Sequence, residues 1–276
     1  MKFVILSDTH FVPVGQTLFA LDPRARLDAA IQAINRDHSD LEFVIITGDL
    51  AHSGQSEAYR NLANALERIT VPVLLMLGNH DRRAPFRKTF ADADDDGNGF
   101  VQSMRVFEGT TVVTLDTLDE GARSHAGFLC DRRLGFLERS LAEAPADRPL
   151  LLFQHHPPFD NGLPHMDRIK LRNPDAFWGA IARTRKPDYL FIGHVHRPIA
   201  GHWRRIPFHC QRAVCHQVGF NFESSVDIPV THEAPDYSLV TVGCDHIVIH
   251  QRSFLYSGPV YWHDAEAVQA AMNVDA

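Results

Sequence analysis

The sequence predicts an α/β protein whose sheet layers are flanked by helices. Short apolar runs of strand length alternate with segments of helical periodicity through most of the chain. Beyond Gly201 the helical periodicity fades, and short alternating runs indicate antiparallel strands. The chain has 276 residues and is 45% hydrophobic, which is enough for one large domain with a sizeable core.

In the first third of the chain, strands are marked by apolar runs and helices by apolar residues three or four positions apart. The predicted strands are residues 2–7, 42–47 and 73–77, and the predicted helices are residues 24–36 and 56–69. Asp22 is placed to cap the first helix, and Pro23 suits its first turn. This alternation is typical of helices packed on a sheet.

The rest of the chain continues the alternation and then becomes rich in strands. The predicted strands are residues 111–115, 150–153, 189–192, 204–209, 237–242 and 247–251, and the predicted helices are residues 131–144 and 175–184. Since no linker or repeat divides this region, we expect one catalytic domain over residues 1–253. Residues 254–276 differ in character, and the apolar residues within 254–262 predict a lid element or a contact in a homo-oligomer.

The charge of the chain argues against a nucleic-acid coat. The 34 acidic residues outnumber the 27 lysines and arginines, whereas nonspecific binding to phosphate backbones requires clustered basic residues. No segment of the sequence approaches the roughly 20 apolar residues that span a bilayer. The apolar run before Asp8 is too short for a signal peptide. We therefore expect a cytoplasmic protein without a membrane or nucleic-acid partner.

Five polar clusters directly follow five of the predicted strands. They are Asp8-Thr9-His10, Gly48-Asp49, Gly78-Asn79-His80-Asp81, His155-His156-Pro157-Pro158 and Gly193-His194-Val195-His196. In open α/β sheets, ligands bind beyond the carboxyl ends of the strands. The five clusters are therefore expected to converge on one site.

The side chains in these clusters suit a centre of metal ions. Carboxylate, amide and imidazole groups bind borderline metals such as zinc, manganese, iron and cobalt, and one carboxylate can bridge two cations. The Asp-x-His and His-x-His pairs would each share one face if their backbone were extended. Glycine precedes Asp49, Asn79 and His194, where it would allow tight turns.

The five clusters, in this order, resemble the motifs of the calcineurin-like metallophosphoesterases. Other segments resemble one subgroup, the bacterial class III cyclic nucleotide phosphodiesterases and the related glycerophosphodiesterases. These segments are Ser7-Asp8-Thr9-His10-Phe11, the His155-His156-Pro157-Pro158 run with His165-Met166-Asp167, Val214-Cys215-His216-Gln217-Val218, and Ser257-Gly258-Pro259. The similarity covers nearly the whole chain.

The resemblance implies a four-layer α/β/β/α sandwich of two mixed sheets with a dinuclear metal site at the strand ends. The implied ligands of one metal are Asp8, His10, Asp49 and His196, and those of the other are Asp49, Asn79, His155 and His194. Asp49 would bridge the two ions, which would be divalent or trivalent Fe, Mn, Zn or Co. Such a pair of ions activates a bridging hydroxide for attack on phosphorus.

The same resemblance assigns catalytic and substrate-binding roles. Asp49 is catalytic as the bridging ligand, and His80 is catalytic as the proton donor beside the phosphate. The substrate-binding residues are Asn79, His80 and His216, of which His216 corresponds to a second phosphate-contacting histidine of the glycerophosphodiesterases.

Three functions fit this set of residues. We expect metal-dependent hydrolysis of small phosphodiesters, namely 3′,5′-cyclic nucleotides, glycerophosphodiesters or both. A phosphomonoesterase or a nuclease would use the same metals, but no basic, aromatic groove typical of a nuclease stands out. A non-catalytic scaffold is the third alternative, and the complete ligand set argues against it. The roles of His52, Asn161 and His165 stay open, and His156 is expected to be structural.

Overall fold

The computed structural model describes residues 1–121 and 124–261. Its helices are α1 (Pro23–Asp37), α2 (Ser56–Leu66), α3 (Arg83–Thr89), α4 (Asp131–Glu143), α5 (Pro164–Asp167) and α6 (Pro174–Ala182). Its strands are β1 (Lys2–Leu6), β2 (Phe43–Ile46), β3 (Val73–Leu75), β4 (Ser103–Phe107), β5 (Thr110–Leu115), β6 (Leu150–Gln154), β7 (Tyr189–Ile192), β8 (Ile199–Trp203), β9 (Ile206–Cys210), β10 (Gln217–Val218), β11 (Val230–Thr231), β12 (Asp236–Val242) and β13 (Ile247–Ser253).

The longer strands form two mixed sheets. The first has the order β13–β12–β1–β2–β3, in which β1, β2 and β3 are parallel and β12 is antiparallel to both of its neighbours. The second has the order β4–β5–β6–β7–β9–β8, with four parallel strands in the middle and an antiparallel strand at each edge. The short strands β10 and β11 pair with each other.

Three clusters of apolar side chains fill the spaces between the layers of the molecule. Because neighbouring side chains of a strand face opposite sides, Val4 of β1 packs with α1 and α2, whereas Phe3 faces the second sheet. Between the sheets, the Phe3 ring stacks on Phe43 at 4.7 Å and meets Phe153 edge-on at 6.0 Å. On the far side, α4 and α6 pack against the second sheet. The order helix, sheet, sheet, helix confirms the predicted sandwich.

Helix α1 begins where the sequence predicts. The Asp22 carboxylate accepts hydrogen bonds from the backbone N–H groups of Arg24 and Ala25, which satisfies two donors that the first turn of a helix leaves free. Pro23 occupies the first turn, where its missing N–H costs nothing. The buried face of α1 includes Leu27, Ala30, Ile31 and Ile34.

Several boundaries differ from the prediction for local reasons. The strand expected at 204–209 begins at Ile206, because Arg204 and Arg205 form the turn between β8 and β9 with φ angles of 49° and 66°. Helix α2 ends at Leu66 and β3 ends at Leu75, both earlier than expected. The unpredicted elements are short or lie at an edge: α3 starts without a side-chain cap, and β4 and β8 border the second sheet.

The C-terminal segment is described only as far as residue 261. Phe254 is buried and belongs to the cluster that packs α1 and α2 on the first sheet. Leu255, Tyr256, Val260 and Tyr261 are exposed, and the remainder of the segment, including Trp262, lies outside the described residues. The division at residue 253 and the lid or oligomer contact stay predictions.

Candidate metal centre

The five motif loops leave the carboxyl ends of β1, β2 and β3 in the first sheet and of β6 and β7 in the second. Because these strands are parallel within each sheet, their loops emerge at one edge. The backbone N–H groups of Asp8 and His10 donate to the carbonyl oxygens of Gly48 and Asp49, at 3.1 and 2.9 Å. These bonds join the first two loops directly.

Five of the predicted metal ligands have a left-handed backbone. The φ angles are 51° at Asp8, 45° at His10, 49° at Asp49, 66° at His194 and 55° at His196. Such conformations cost of order 1–3 kcal/mol for a non-glycine residue and cluster at functional sites. The expectation that the Asp-x-His and His-x-His pairs are extended is therefore wrong, because the backbone turns at each of these residues.

The glycines before the ligands serve two purposes. Gly48 has a φ of 106°, as the predicted tight turn requires. Gly78 and Gly193 lie outside the left-handed region, but a Cβ at Gly78 would sit 2.2 Å from Oδ1 of Asp49. A Cβ at Gly193 would sit 2.7 Å from the carbonyl oxygen of Thr47. The turn explanation is thus wrong for these two glycines, which instead allow neighbouring groups to approach closely.

The structure brings the first predicted ligand set together. The ligand atoms of Asp8, His10, Asp49 and His196 all lie within 4.8 Å of one another. Nε2 of His196 is 3.2 Å from Oδ1 of Asp8 and 3.1 Å from Nε2 of His10. Donors at bond lengths of about 2.1 Å around a tetrahedral or octahedral ion are roughly 3.0–3.4 Å apart. The distances from Nε2 of His196 to Asp8 and His10 match those of a metal coordination shell.

The second predicted set, Asp49, Asn79, His155 and His194, shares Asp49 with the first. Nε2 of His155 lies 3.4 Å from Oδ2 of Asp49, and the rings of His155 and His194 have centroids 5.1 Å apart. Oδ1 of Asn79 and Nε2 of both histidines are buried without a hydrogen-bond partner. Buried polar atoms left unpaired are costly, and a cation is a suitable partner for such donors. The residues present therefore fit bound divalent metal ions.

Hydrogen bonds at the outer nitrogens orient two of the imidazoles. The Nδ1–H group of His155 donates to the carbonyl oxygen of Thr47, at 2.8 Å. The Nδ1–H group of His196 donates to the carbonyl oxygen of His216, also at 2.8 Å. Because Nδ1 is engaged in this way, Nε2 is the nitrogen that faces the other donors, as in metal sites whose histidines are held by a second hydrogen bond.

At Asp49, the carboxylate that the two ligand sets share, burial and the neighbouring imidazoles shift the pKa in opposite directions. Burial would raise the pKa of Asp49, but the neighbouring imidazoles of His155 and His80 outweigh it and hold this pKa well below the ordinary value. Burial likewise would lower the pKa of His155, but Asp49 raises it to about 9. Burial and the adjacent His156 lower the pKa of His194, which keeps this imidazole neutral. A metal ion at His155 would displace its Nε2 proton, so metal binding releases protons.

His80 stands beside the ligand sets, between two other imidazoles. Its ring stacks on those of His52 and His125, each with centroids 4.9 Å apart. Its Nδ1–H group donates to the carbonyl oxygen of His52 at 2.7 Å, and its backbone N–H donates to Oδ1 of Asp49 at 2.9 Å. Nε2 of His80 lies 4.0 Å from Oδ2 of Asp49. This nitrogen is therefore the one available to a bound substrate.

His216 lies against the first ligand set. Its ring centroid is 4.6 Å from that of His196 and 5.0 Å from that of His10, and its Nδ1 is buried without a hydrogen-bond partner. Burial, together with the nearby His196, lowers the pKa of His216 to about 2, so the ring is neutral. It lines the same cavity as the predicted ligands.

Asp81 is a buried residue to which the sequence reasoning gave no role. Its carboxylate accepts hydrogen bonds from the backbone N–H groups of Leu50 and Ala51, both at 3.0 Å. It also accepts from the backbone N–H of Gly78 and the hydroxyl of Tyr59, both at 2.9 Å. Asp81 thus ties two motif loops to α2. Its position in the Gly78–Asp81 turn was the available signal, because aspartate in turns often accepts backbone hydrogen bonds.

His125 is a second residue that the sequence reasoning missed. Nδ2 of Asn79 donates to Nδ1 of His125 at 2.8 Å. This bond fixes which end of the Asn79 amide is engaged, and it leaves Oδ1 as the unpartnered atom. No sequence signal pointed to His125, because it follows no predicted strand and lies 46 residues from Asn79.

Replacing His125 by alanine is expected to weaken metal binding at the second ligand set, because the Asn79 amide loses the partner that orients it. Loss of such an outer contact typically costs 10–100-fold in metal affinity. Metal titration followed by calorimetry should show one binding step weakened by about that factor. His246→Ala, at an exposed histidine, is the matched control. Equal weakening of every metal-binding step would contradict a role of His125 confined to orienting Asn79.

The remaining residues of interest lie in different places. Nδ1 of His52 is 3.3 Å from Nδ1 of His10, and His52 also lines the cavity. Both ring nitrogens of His156 are hydrogen-bonded within the fold, as expected for a structural residue. Asn161 accepts a hydrogen bond from a backbone N–H of its own loop. His165 is buried and is not among the residues that line the cavity, although its neighbour Met166 is.

Comparison with known proteins agrees with this geometry. Residues 1–198 match the family described as calcineurin-like phosphoesterase. A probable cyclic nucleotide phosphodiesterase of Rhodopseudomonas palustris is 60% identical over 269 residues, which cover 97% of this chain and 98% of the relative. The glycerophosphodiester phosphodiesterase GpdQ of Enterobacter lignolyticus is 28% identical over 227 residues, which cover 82% of this chain and 81% of the relative.

A solved structure shares the architecture at low sequence identity. A dimetal phosphatase from Danio rerio superposes with a TM-score of 0.69 and 14% identity, covering 92% of this chain and 96% of the other. Among the described residues, no helix has the length and apolar character that a membrane crossing requires. The chain belongs to the calcineurin-like phosphoesterase family and is a phosphodiesterase that uses divalent metal ions.

Proposed function

We propose that this chain hydrolyses small phosphodiesters at a dinuclear metal centre. The proposed ligands of one metal are Asp8, His10, Asp49 and His196, and those of the other are Asp49, Asn79, His155 and His194. The observation that best supports this proposal is the set of buried donor atoms without a hydrogen-bond partner. Four of these seven residues, namely Asp8, Asn79, His155 and His194, each have such an atom, and they lie on loops of both sheets.

Bound metal ions would offset the charge of the phosphate and lower the pKa of a water molecule that attacks phosphorus. The chain's own residues position the reactants. Asn79 belongs to the second ligand set and His216 lies against the first, and both would hold phosphate oxygens. As the new P–O bond forms and the ester P–O bond breaks, Nε2 of His80 would give its proton to the leaving oxygen.

The proposed physiological substrate is a 3′,5′-cyclic nucleotide. Support comes from the relative in Rhodopseudomonas palustris, which is 60% identical over nearly the whole chain and is described as a probable cyclic nucleotide phosphodiesterase. Glycerophosphodiesters are the second candidate because GpdQ is also similar, although at 28% identity.

The substrate class is tested by comparing kcat/KM for three substrates on one metal-loaded preparation. The substrates are cyclic AMP, glycerophosphoethanolamine and a phosphomonoester that also has an alkyl leaving group, such as glycerol 3-phosphate. We expect the highest kcat/KM for cyclic AMP and the lowest for the monoester. If kcat/KM is higher for glycerophosphoethanolamine than for cyclic AMP, glycerophosphodiesters are the better candidate substrates. If kcat/KM is highest for the monoester, the chain is not primarily a phosphodiesterase.

Several sequence expectations stay predictions. The mixed nitrogen and oxygen donors admit Fe, Mn, Zn or Co, among which cellular availability would decide. The homo-oligomer, the cytoplasmic location and the lack of a nucleic-acid partner also stay predictions. Sedimentation at micromolar concentration is the direct measurement of the oligomeric state.

His216→Ala is expected to lower kcat/KM for every diester without loss of metal. The ring lines the cavity and has a free buried nitrogen, which suits contact with a phosphate oxygen. Its backbone carbonyl, which holds His196, remains in the variant. Metal analysis beside the kinetics separates this role from that of a ligand: loss of one metal ion would make His216 a ligand, and unchanged kinetics would remove it from the site.

A further inference from the structure

Phe19 occupies a strained turn at the mouth of the metal centre. The backbones of Leu18 and Leu21 exchange two hydrogen bonds of 2.9 Å, which closes a tight turn with Phe19 and Ala20 at its centre. Both central residues have a left-handed backbone, with φ angles of 50° and 61°. Turns of this type normally contain Asn-Gly or a similar pair, because phenylalanine and alanine are strained there.

A hydrogen bond from a distant segment of the chain also holds the turn, and the aromatic ring of Phe19 stays outside the core. The Nε2–H group of His232 donates to the carbonyl oxygen of Phe19 at 2.8 Å. The Phe19 side chain is part of no core cluster, and the residue is 47% exposed. Its ring meets that of His216 at a centroid distance of 4.8 Å and an interplanar angle of 61°. Strained backbone of this kind clusters at functional sites, and the ring contact of Phe19 is with a residue of the metal centre.

The cavity beside Phe19 has an apolar wall that continues into the metal centre. Its volume is about 300 Å³, at the lower end of the range for small-molecule sites. Phe19, Ile169, Ile228 and Val230 line it together with the predicted metal ligands. A phosphodiester bound at those ligands would therefore place one substituent against this apolar wall.

A second cavity, of about 360 Å³, adjoins the first at His80 and differs in character. It is lined mainly by polar and charged groups, including Ser53, Arg82, Asp119 and Glu120. Glycerol and ethanolamine substituents suit this polar cavity, because they carry no flat apolar group. A purine or pyrimidine ring suits the apolar one, where it can stack on an aromatic side chain.

We propose that Phe19 and the apolar wall formed by Ile169, Ile228 and Val230 bind the nucleobase of a nucleotide substrate. This inference rests on the proposed function, since it takes the phosphate to lie at the metal ligands. It assigns base recognition to stacking and apolar contact, which tolerate different bases.

The test compares the binding of two ligands that share a phosphate and a ribose but differ in the base. Isothermal titration calorimetry on metal-loaded protein measures the Kd of adenosine 5′-monophosphate and that of ribose 5-phosphate. Stacking of one base predicts roughly tenfold tighter binding of the nucleotide. Phe19→Ala should bring this ratio close to one, whereas Phe19→Trp should preserve it.

Two more variants make the result specific. Ile228→Ala, at another apolar residue that lines the cavity, should reduce the ratio by a smaller factor. Phe222→Ala removes an exposed phenylalanine that does not line the cavity, and it should leave the ratio unchanged. Equal binding of the two ligands by the unmodified protein, or a ratio unaffected by both Phe19→Ala and Ile228→Ala, would overturn the base site.

The two measurements distinguish an error in the proposed base site from an error in the proposed substrate. If the protein prefers the nucleotide over ribose 5-phosphate but does not hydrolyse cyclic AMP, the proposed substrate is wrong and the base site stands. If it hydrolyses cyclic AMP but binds both ligands equally, the proposed substrate stands and the base site is wrong.

Discussion

Asp49→Ala is expected to reduce turnover to the level of metal-free protein and to lower bound metal more than any other single ligand variant. Oδ2 of Asp49 lies 3.7 Å from Nε2 of His10 and 3.4 Å from Nε2 of His155, so both ligand sets depend on it. Each of the other predicted ligands belongs to only one set. Inductively coupled plasma mass spectrometry on reloaded protein measures the metal content, and bis(p-nitrophenyl) phosphate reports turnover.

Two variants calibrate the Asp49 experiment. Asp175→Ala removes a carboxylate whose side chain is 93% exposed on α6, and it should retain full metal content and activity. His194→Ala should lose one ion rather than two, because His194 belongs only to the second set. Saturation of the unmodified protein at one ion, or two ions retained by Asp49→Ala, would refute the shared dinuclear centre.

His80→Ala is expected to keep two metal ions and to lose far more activity on alkyl or ribosyl diesters than on p-nitrophenyl diesters. An alkoxide is strongly basic and must be protonated as it leaves, whereas p-nitrophenolate leaves readily without help. General acid catalysis contributes typically ~10²–10⁴-fold, and that is the expected loss of kcat/KM for the alkyl substrates. Kinetics on glycerophosphoethanolamine, cyclic AMP and bis(p-nitrophenyl) phosphate measure the difference.

The hydrogen bonds of His80 are consistent with this predicted role. Its Nδ1–H group is bound to the carbonyl oxygen of His52, so a second proton would reside on Nε2, the atom that faces the site. Loss of the side chain removes no atom from either proposed ligand set. Equal losses on all leaving groups, with metal content intact, would instead assign His80 to stabilising charge in the transition state. His246→Ala serves as the control for an exposed histidine.

The fold was predictable wherever one local pattern covered a whole element. Helix α1 carries its own cap at Asp22 and its own apolar face, so its sequence specifies both where it begins and what it packs against. Helix α3 has no such cap, and β8 alternates poorly because most of its residues are exposed at the sheet edge. These elements depend on neighbours that are distant in sequence, and local periodicity therefore missed them.

The sequence by itself determined the chemistry of the site: which side chains follow the strands, and that carboxylate, amide and imidazole donors suit metal ions. Only the tertiary structure decided how these groups are aimed. The left-handed backbone at Asp8 and His194, and the contact of His125 with Asn79, bring together segments far apart in the chain. Close approaches of this kind arise because the two sheets pack face to face, which brings the loops at their strand ends together. No local sequence pattern encodes this arrangement.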